Sequence, residues 1–217
     1  MGKKITTVIF DMDGVISDSQ PIHAELEELL LKEHGIDMAA ADLTREYAGV
    51  PDRQCAEIIF AKHGKEVDLD GFVERKWLKI MEFAKGRVVA IEGVLDLIQK
   101  LKANNFQLAI ASSSKPEFID LILGELKIKD KFDVITAGNE VEKGKPNPDI
   151  FLLAAKKLGA DPADCTVIED AKHGVIAAKR AGMKCVWLNS LGQPGQNEYP
   201  ADITVKSLKE LRIQDFV

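Results

Sequence analysis

The chain has 217 residues, 46% of them hydrophobic and 29% charged, the composition of a globular protein with room for a core domain and a smaller module. Lys and Arg number 29 against 35 Asp and Glu, a net charge of −6, which argues against a general nucleic-acid or anionic-membrane surface but permits a local anion site. The cysteines, Cys55, Cys165 and Cys185, are odd in number and lack CxxC spacing, so reduced thiols and a cytoplasmic setting are expected. No apolar run is long enough to span a bilayer, and Asp11 and Asp13 interrupt the start before a signal peptide can form.

Thr6-Thr7-Val8-Ile9-Phe10 is a short β-prone run that stops at Asp11. The next stretch, 18–88, is far longer than an ordinary loop and reads as helices. Ile22, Leu26, Leu29 and Leu30 share one apolar face, Cys55, Ile58 and Ile59 a second, and Val73, Trp77, Ile80, Met81 and Ala84 a third. We read 18–88 as an inserted helical cap, hinged near Ser17–Gln20 and Gly86–Ala90, on a core made of 1–17 and 89–217.

Beyond the insert, strand and helix alternate. Gln107–Ala111, Phe132–Thr136, Thr166–Ile168 and Lys184–Leu188 are short apolar runs suited to strands buried on both faces, and Ile203-Thr204-Val205 is a weaker edge candidate. Helical faces are formed by Val94, Leu97, Ile98 and Leu101, by Ile119, Ile122, Leu123 and Leu126, and by Phe151, Ala154, Ala155 and Leu158. A further helix spans 171–181. Asn147 is placed to cap the third of these, and Ser114 to cap the second with Pro116 in its first turn. Gly192-Gln193-Pro194-Gly195 reads as a surface loop. The alternation predicts an α/β fold, a doubly wound, Rossmann-like parallel sheet carrying the helical cap.

In such a sheet, ligands bind beyond the carboxyl ends of the strands. Asp11 and Asp13 end the first strand, Ser112 the second, and Glu169 and Asp170 the fourth; the turn Gly144-Lys145-Pro146 follows the third. Four carboxylates in one place need a cation among them, and a hard all-oxygen set favours magnesium. A carboxylate can attack phosphorus, a second can move the proton, and a lysine and a hydroxyl can hold phosphoryl oxygens.

Asp11-Met12-Asp13-Gly14-Val15, Ser112, Gly144-Lys145-Pro146 and Glu169-Asp170 resemble, in order, the four signature motifs of the haloacid dehalogenase superfamily. The position of the insert resembles the helical-cap subgroup that includes β-phosphoglucomutase and sugar-phosphate phosphatases. The resemblance implies Asp11 as nucleophile and Asp13 as general acid/base. It implies Ser112 and Lys145 on the phosphoryl group, and Mg2+ held by Asp11, the Asp13 backbone carbonyl, Glu169 and Asp170. Ser113, His23, Arg53 and Lys76 are assigned to the substrate. For Lys76 the ordinary alternative is the polar side of an amphipathic helix. Mutase-like relatives place an arginine one residue before Arg53 and a lysine where Ala48 stands. These departures favour a phosphatase acting on a small phosphorylated metabolite over a β-phosphoglucomutase; a non-enzymatic phosphate- or partner-binding protein is the third reading. A mobile cap needs room, so a monomer is expected.

Overall fold

The computed structural model describes residues 7–47, 50–190, 192 and 200–216. The chain divides into two compact units, Met1–Asp18 with Val89–Val217, and Ser19–Val88. Strand β1 (Thr7–Phe10) opens the first unit. The second unit follows as α1 (Gln20–Glu33), α2 (Ala40–Tyr47), α3 (Asp52–Lys62) and α4 (Leu69–Ala84). The first unit then resumes through α5 (Val94–Ala103), β2 (Gln107–Ser112), α6 (Pro116–Glu125), β3 (Val134–Ala137), α7 (Asp149–Leu158), β4 (Cys165–Glu169), α8 (Lys172–Arg180), β5 (Lys184–Leu188) and β6 (Ile203–Val205).

The six strands form one parallel sheet in the order β3-β2-β1-β4-β5-β6. The expected doubly wound α/β fold is therefore present, with Ile203–Val205 as its edge strand. β1 lies at its centre and the sheet winds outward from it in both directions, which makes the carboxyl ends of β1, β2 and β4 the switch point. Register brings the polar ends level: Phe10 pairs with Ile110 on one side and Ile168 on the other. All four β1 residues are buried, as befits a strand covered on both faces. Ile9, Ala109 and Val167 pack with Phe151, Ala154, Val175 and Ala178 from α7 and α8. Burial of that apolar surface is the main stabilising term.

In the helical unit α1 packs on α2 and α4, and α3 on α4. Phe60 and Phe72 meet edge to face at 5.1 Å, with His34 against both rings. The inner stripe of α1 is Ile22, Leu26, Leu30 and Leu31; Leu29 is exposed, and so is Ile58 on α3, because each falls one step off the buried arc. On α4 the buried stripe is Phe72, Lys76, Ile80 and Ala84, which leaves Trp77 and Met81 half-buried rather than in the core. Helix α2 was not expected: it is 8 residues long and Leu43 is its one buried residue, so it shows no apolar stripe.

Two capping expectations also differ. Helix α7 begins at Asp149 behind Pro148, and the Asn147 side-chain amide donates to the Gly144 carbonyl (3.1 Å), bracing the lysine turn. Helix α6 begins behind Lys115 with Pro116 in its first turn, and the Ser114 hydroxyl is used elsewhere. Residues Gln193, Pro194 and Gly195 of the expected surface loop lie outside the described residues.

The chain leaves and re-enters the sheet unit through paired segments. Ser17 bridges Ala90 in antiparallel fashion, the Asp18 amide donates to the Val89 carbonyl (2.9 Å), and the Ile91 amide to the Ile16 carbonyl (3.0 Å).

Candidate active site

Asp11 stands one residue past β1, and its amide extends the ladder by donating to the Ile168 carbonyl at 3.0 Å. The chain then turns sharply: the Met12 carbonyl accepts from the Ile16 and Ser17 amides at 2.8 and 3.0 Å. Gly14 adopts φ +83°, and a Cβ there would lie 2.6 Å from Asp170 Cγ. Glycine is required on both counts, since its bare backbone lets Asp170 approach the aspartate turn.

Lys145 crosses to this turn from the loop after β3. Its Nζ donates to Asp11 Oδ1 at 2.5 Å and to Glu169 Oε1 at 2.7 Å, and lies 4.9 Å from the centre of the Phe151 ring. The Lys145–Pro146 peptide is cis, and Arg180 donates to the Pro146 carbonyl (3.0 Å). Glu169 is held at both ends, because its Oε2 accepts from the Ala171 amide (2.7 Å) just ahead of α8. A Cβ on Gly174 would overlap Glu169 Oε1, so glycine is what makes room for this carboxylate. The Trp187 indole donates to the Asp170 carbonyl at 2.9 Å and fixes the backbone beside it.

Asp11, Glu169 and Asp170 each bring a carboxylate oxygen to a common place, all within 4.8 Å of one another. Asp13 is turned to the end of β2. Ser114 Oγ donates to Asp13 Oδ2 at 2.7 Å, Ser112 Oγ lies 3.4 Å from the same oxygen, and the Ser114 amide donates to Ser112 Oγ at 3.1 Å. The Ser113 side chain is exposed.

The electrostatics are those of a crowded anionic centre. Burial pushes the Asp11 carboxyl up to about 7; Lys145 opposes this, while Glu169 and Asp13 add to it. Burial, then Glu169 and Asp11, hold Asp170 well above the usual carboxylate range. Burial would lower Lys145, but the charges of Asp11 and Glu169 outweigh it and keep the ammonium protonated. One ammonium thus meets Asp11 and Glu169 in a group of three converging carboxylates completed by Asp170, all hard oxygen donors. The set fits a divalent cation such as magnesium, which would neutralise the excess charge when bound.

The residues assigned to the substrate from the helical unit are engaged within it. The half-buried His23 ring meets Trp77 edge to face at 5.9 Å. Arg53 Nε donates to Asp70 Oδ1 at 2.8 Å, with Glu57 at 3.9 Å. Lys76 is not on a polar helix side: only 3% exposed, it lies 2.9 Å from Glu27 Oε2 and 2.7 Å from Asp52 Oδ1. Ala48, the position where mutase-like relatives carry lysine, is outside the described residues. Sequence reasoning missed Ser114, Phe151 and Gly174 as parts of the centre. The serine run after β2 and the small residue at the start of α8 were the available signals.

The switch-point position and the carboxylate–lysine centre define an α/β enzyme of the hydrolase class. Residues 8–188 match the family model described as haloacid dehalogenase-like hydrolase, and the chain belongs to that family. It is 32% identical over 180 residues to the phosphorylated carbohydrates phosphatase of Thermotoga maritima, covering 83% of each chain. It is likewise 32% identical over 214 residues to the β-phosphoglucomutase of Bacillus subtilis, covering 95% of this chain and 92% of that one. The crystal structure of β-phosphoglucomutase from Clostridium difficile superposes with a TM-score of 0.82 at 28% identity, over 98% and 96% of the two chains. Among the described residues no helix is long and apolar enough to cross a membrane.

Proposed function

We propose that the protein is a magnesium-dependent phosphatase of a small phosphorylated metabolite, a sugar phosphate in class, working through an aspartyl-phosphate on Asp11. The observation that carries this reading is Lys145 bridging Asp11 and Glu169 at 2.5 and 2.7 Å beside Asp170.

Asp11 attacks phosphorus through a carboxylate oxygen, forming a P–O bond as the ester P–O bond breaks. Asp13 gives its proton to the departing alcohol oxygen. It then takes a proton from the water that attacks the aspartyl-phosphate, so inorganic phosphate leaves and Asp11 is regenerated. Lys145 opposes the protonation of Asp11 that burial favours and, with Ser112, neutralises and orients the phosphoryl oxygens. Asp11, the Asp13 carbonyl, Glu169 and Asp170 are the residues that would hold Mg2+, which when bound supplies charge neutralisation at the transferring group.

Every group in this sequence belongs to one unit of one chain, which supports action as a monomer. The buried free thiols Cys55, Cys165 and Cys185 support a reducing, cytoplasmic setting. The helical unit, inserted just after the first motif, serves as the cap that selects the organic part of the substrate. The likeness to a β-phosphoglucomutase favours a second reading, in which a sugar hydroxyl replaces water as acceptor. The test is a magnesium-dependent phosphate-release screen over sugar and polyol phosphates. It is run beside β-glucose 1-phosphate with a trace of bisphosphate, where glucose 6-phosphate would mark the mutase. Asp11→Asn is expected to abolish turnover. Unchanged turnover in that variant overturns the reading.

A further inference from the structure

We infer that Trp187 is a positioning residue for the cation group: its indole locks the Asp170–Ala171 peptide, and with it the spacing of the Asp170 and Glu169 carboxylates, so that the centre prefers Mg2+ to Ca2+. This rests on the reading that the three converging carboxylates hold magnesium.

Trp187 and Glu169 are register partners in neighbouring strands, and paired residues of a parallel sheet face the same side. The β4–β5 ladder ends with that pair, so Asp170 lies past the last paired residue of β4. Its backbone is held by side chains instead. The Asp170 carbonyl accepts from Trp187 Nε1 at 2.9 Å, and the Ala171 amide donates to Glu169 Oε2 at 2.7 Å. Those two groups are the two ends of one planar peptide unit. The plane is thus clamped at both ends, which restricts the torsion that aims the Asp170 side chain.

The same clamp reaches Glu169. If the plane rotates, the Ala171 amide turns away and Glu169 loses the bond opposite its Lys145 contact. Trp187 therefore governs two of the three converging carboxylates. A buried indole N–H needs some acceptor in any protein; here the acceptor is the backbone of a converging carboxylate. The indole is itself fixed, fully buried in a core shared with Phe151, Val175 and Ala178. Gly14 closes on the Asp170 carboxylate from the aspartate turn, where a Cβ would lie 2.1 Å from Oδ2. Carboxylates held this tightly suit Mg2+, which demands near-octahedral ligands at about 2.0–2.1 Å, whereas Ca2+ accepts looser sets at about 2.3–2.6 Å. Groups that orient metal ligands in this way are worth about 10–100-fold in affinity.

The experiment uses the intact protein freed of metal. Mn2+ binding is followed by electron paramagnetic resonance of the free ion, and Mg2+ and Ca2+ are read by the Mn2+ they displace. Trp187→Phe keeps a large apolar ring and removes the donor. It is expected to lower Mg2+ affinity by about tenfold and Ca2+ affinity by less than about threefold. Trp187→His loses more volume, but its Nε2–H can sit where the indole N–H sits. Positioning predicts that His keeps the Mg2+ preference better than Phe; a role in filling the core predicts the opposite order. Circular dichroism reports folding of both variants. A wild-type measurement needs neither variant: the chain has two tryptophans, and Trp77→Phe identifies the indole N–H proton resonance of Trp187. That resonance should shift with Mg2+ and saturate along the Mn2+ displacement curve. An unmoved resonance, an unchanged Mg2+ to Ca2+ ratio in folded Trp187→Phe, or Phe outperforming His overturns the inference. Wild-type protein that neither binds Mg2+ nor needs it for phosphate release gives a separate result, which overturns the magnesium reading and the inference with it.

Discussion

Replacing Lys145 with methionine keeps length and apolar stem while removing the one cation that meets both Asp11 and Glu169. Both carboxylates remain buried, with Glu169 only 1% exposed. Removing one partner from a buried pair destabilises by about 3–5 kcal/mol, and here two contacts of 2.5 and 2.7 Å go at once. The sign of the pH dependence follows from the proton balance. The folded-state value of Lys145 lies above its ordinary one, so its own contribution is constant below about pH 10 and does not vary between acid and neutral conditions. Asp11 is raised from 3.8 to about 7, so the folded protein holds a proton that the unfolded chain has released, and stability falls as pH rises through that window. Losing Lys145 extends the window upward, by about 1.4 kcal/mol for each further unit. Urea unfolding in the presence of a chelator, at about pH 5.5 and about pH 8, should show a larger deficit for Lys145→Met at the higher pH. Phosphate release should fall by about a hundredfold or more. An equal deficit at both pH values, or one below about 1 kcal/mol at the higher pH, would refute the buried counter-charge argument.

Gly174→Ala drives a methyl into Glu169, which must give up either Lys145 or the Ala171 amide. We expect a loss of about 1–3 kcal/mol in urea unfolding and at least about tenfold in kcat. Ser114→Ala removes the 2.7 Å bond that orients Asp13. Steady-state kinetics should show kcat down about tenfold with KM little changed, because a hydrogen bond to a charged group is lost while the phosphoryl-binding residues stay.

The sheet and its polar edge were legible because both depend on short-range pattern. Apolar runs such as Thr7–Phe10 and Cys165–Glu169 end in charged residues, and parallel packing brings those ends level. The motifs were legible for the same reason, since each is a few residues long. The partners were not. Nothing near Lys76 in sequence announces Glu27, 49 residues earlier, so neither its assignment to the substrate nor the polar-side alternative foresaw a buried ion cluster. Ser114 read as a helix cap because Pro116 follows it, yet its hydroxyl is recruited by Asp13 from 101 residues away. Leu29 and Ile58 were placed inward by hydrophobicity, although the helix phase turns each outward. Short α2, with one buried side chain, depends on its neighbours for definition and offers no apolar stripe to read.

The paired exit and return at Ser17–Ala90 means that seventy-odd residues are spliced into the sheet unit at what is, in space, a single point. Joining those two ends by a tight turn would add almost no loop-closure entropy, so the insert behaves as a plug-in. The catalytic unit is indifferent to how long it is, and a different helical module could be grafted at the same bridge without disturbing strand order. Under the proposed reading, chemistry and selectivity can then change independently, one written into the sheet edge and the other exchanged at the seam where Ser17 meets Ala90.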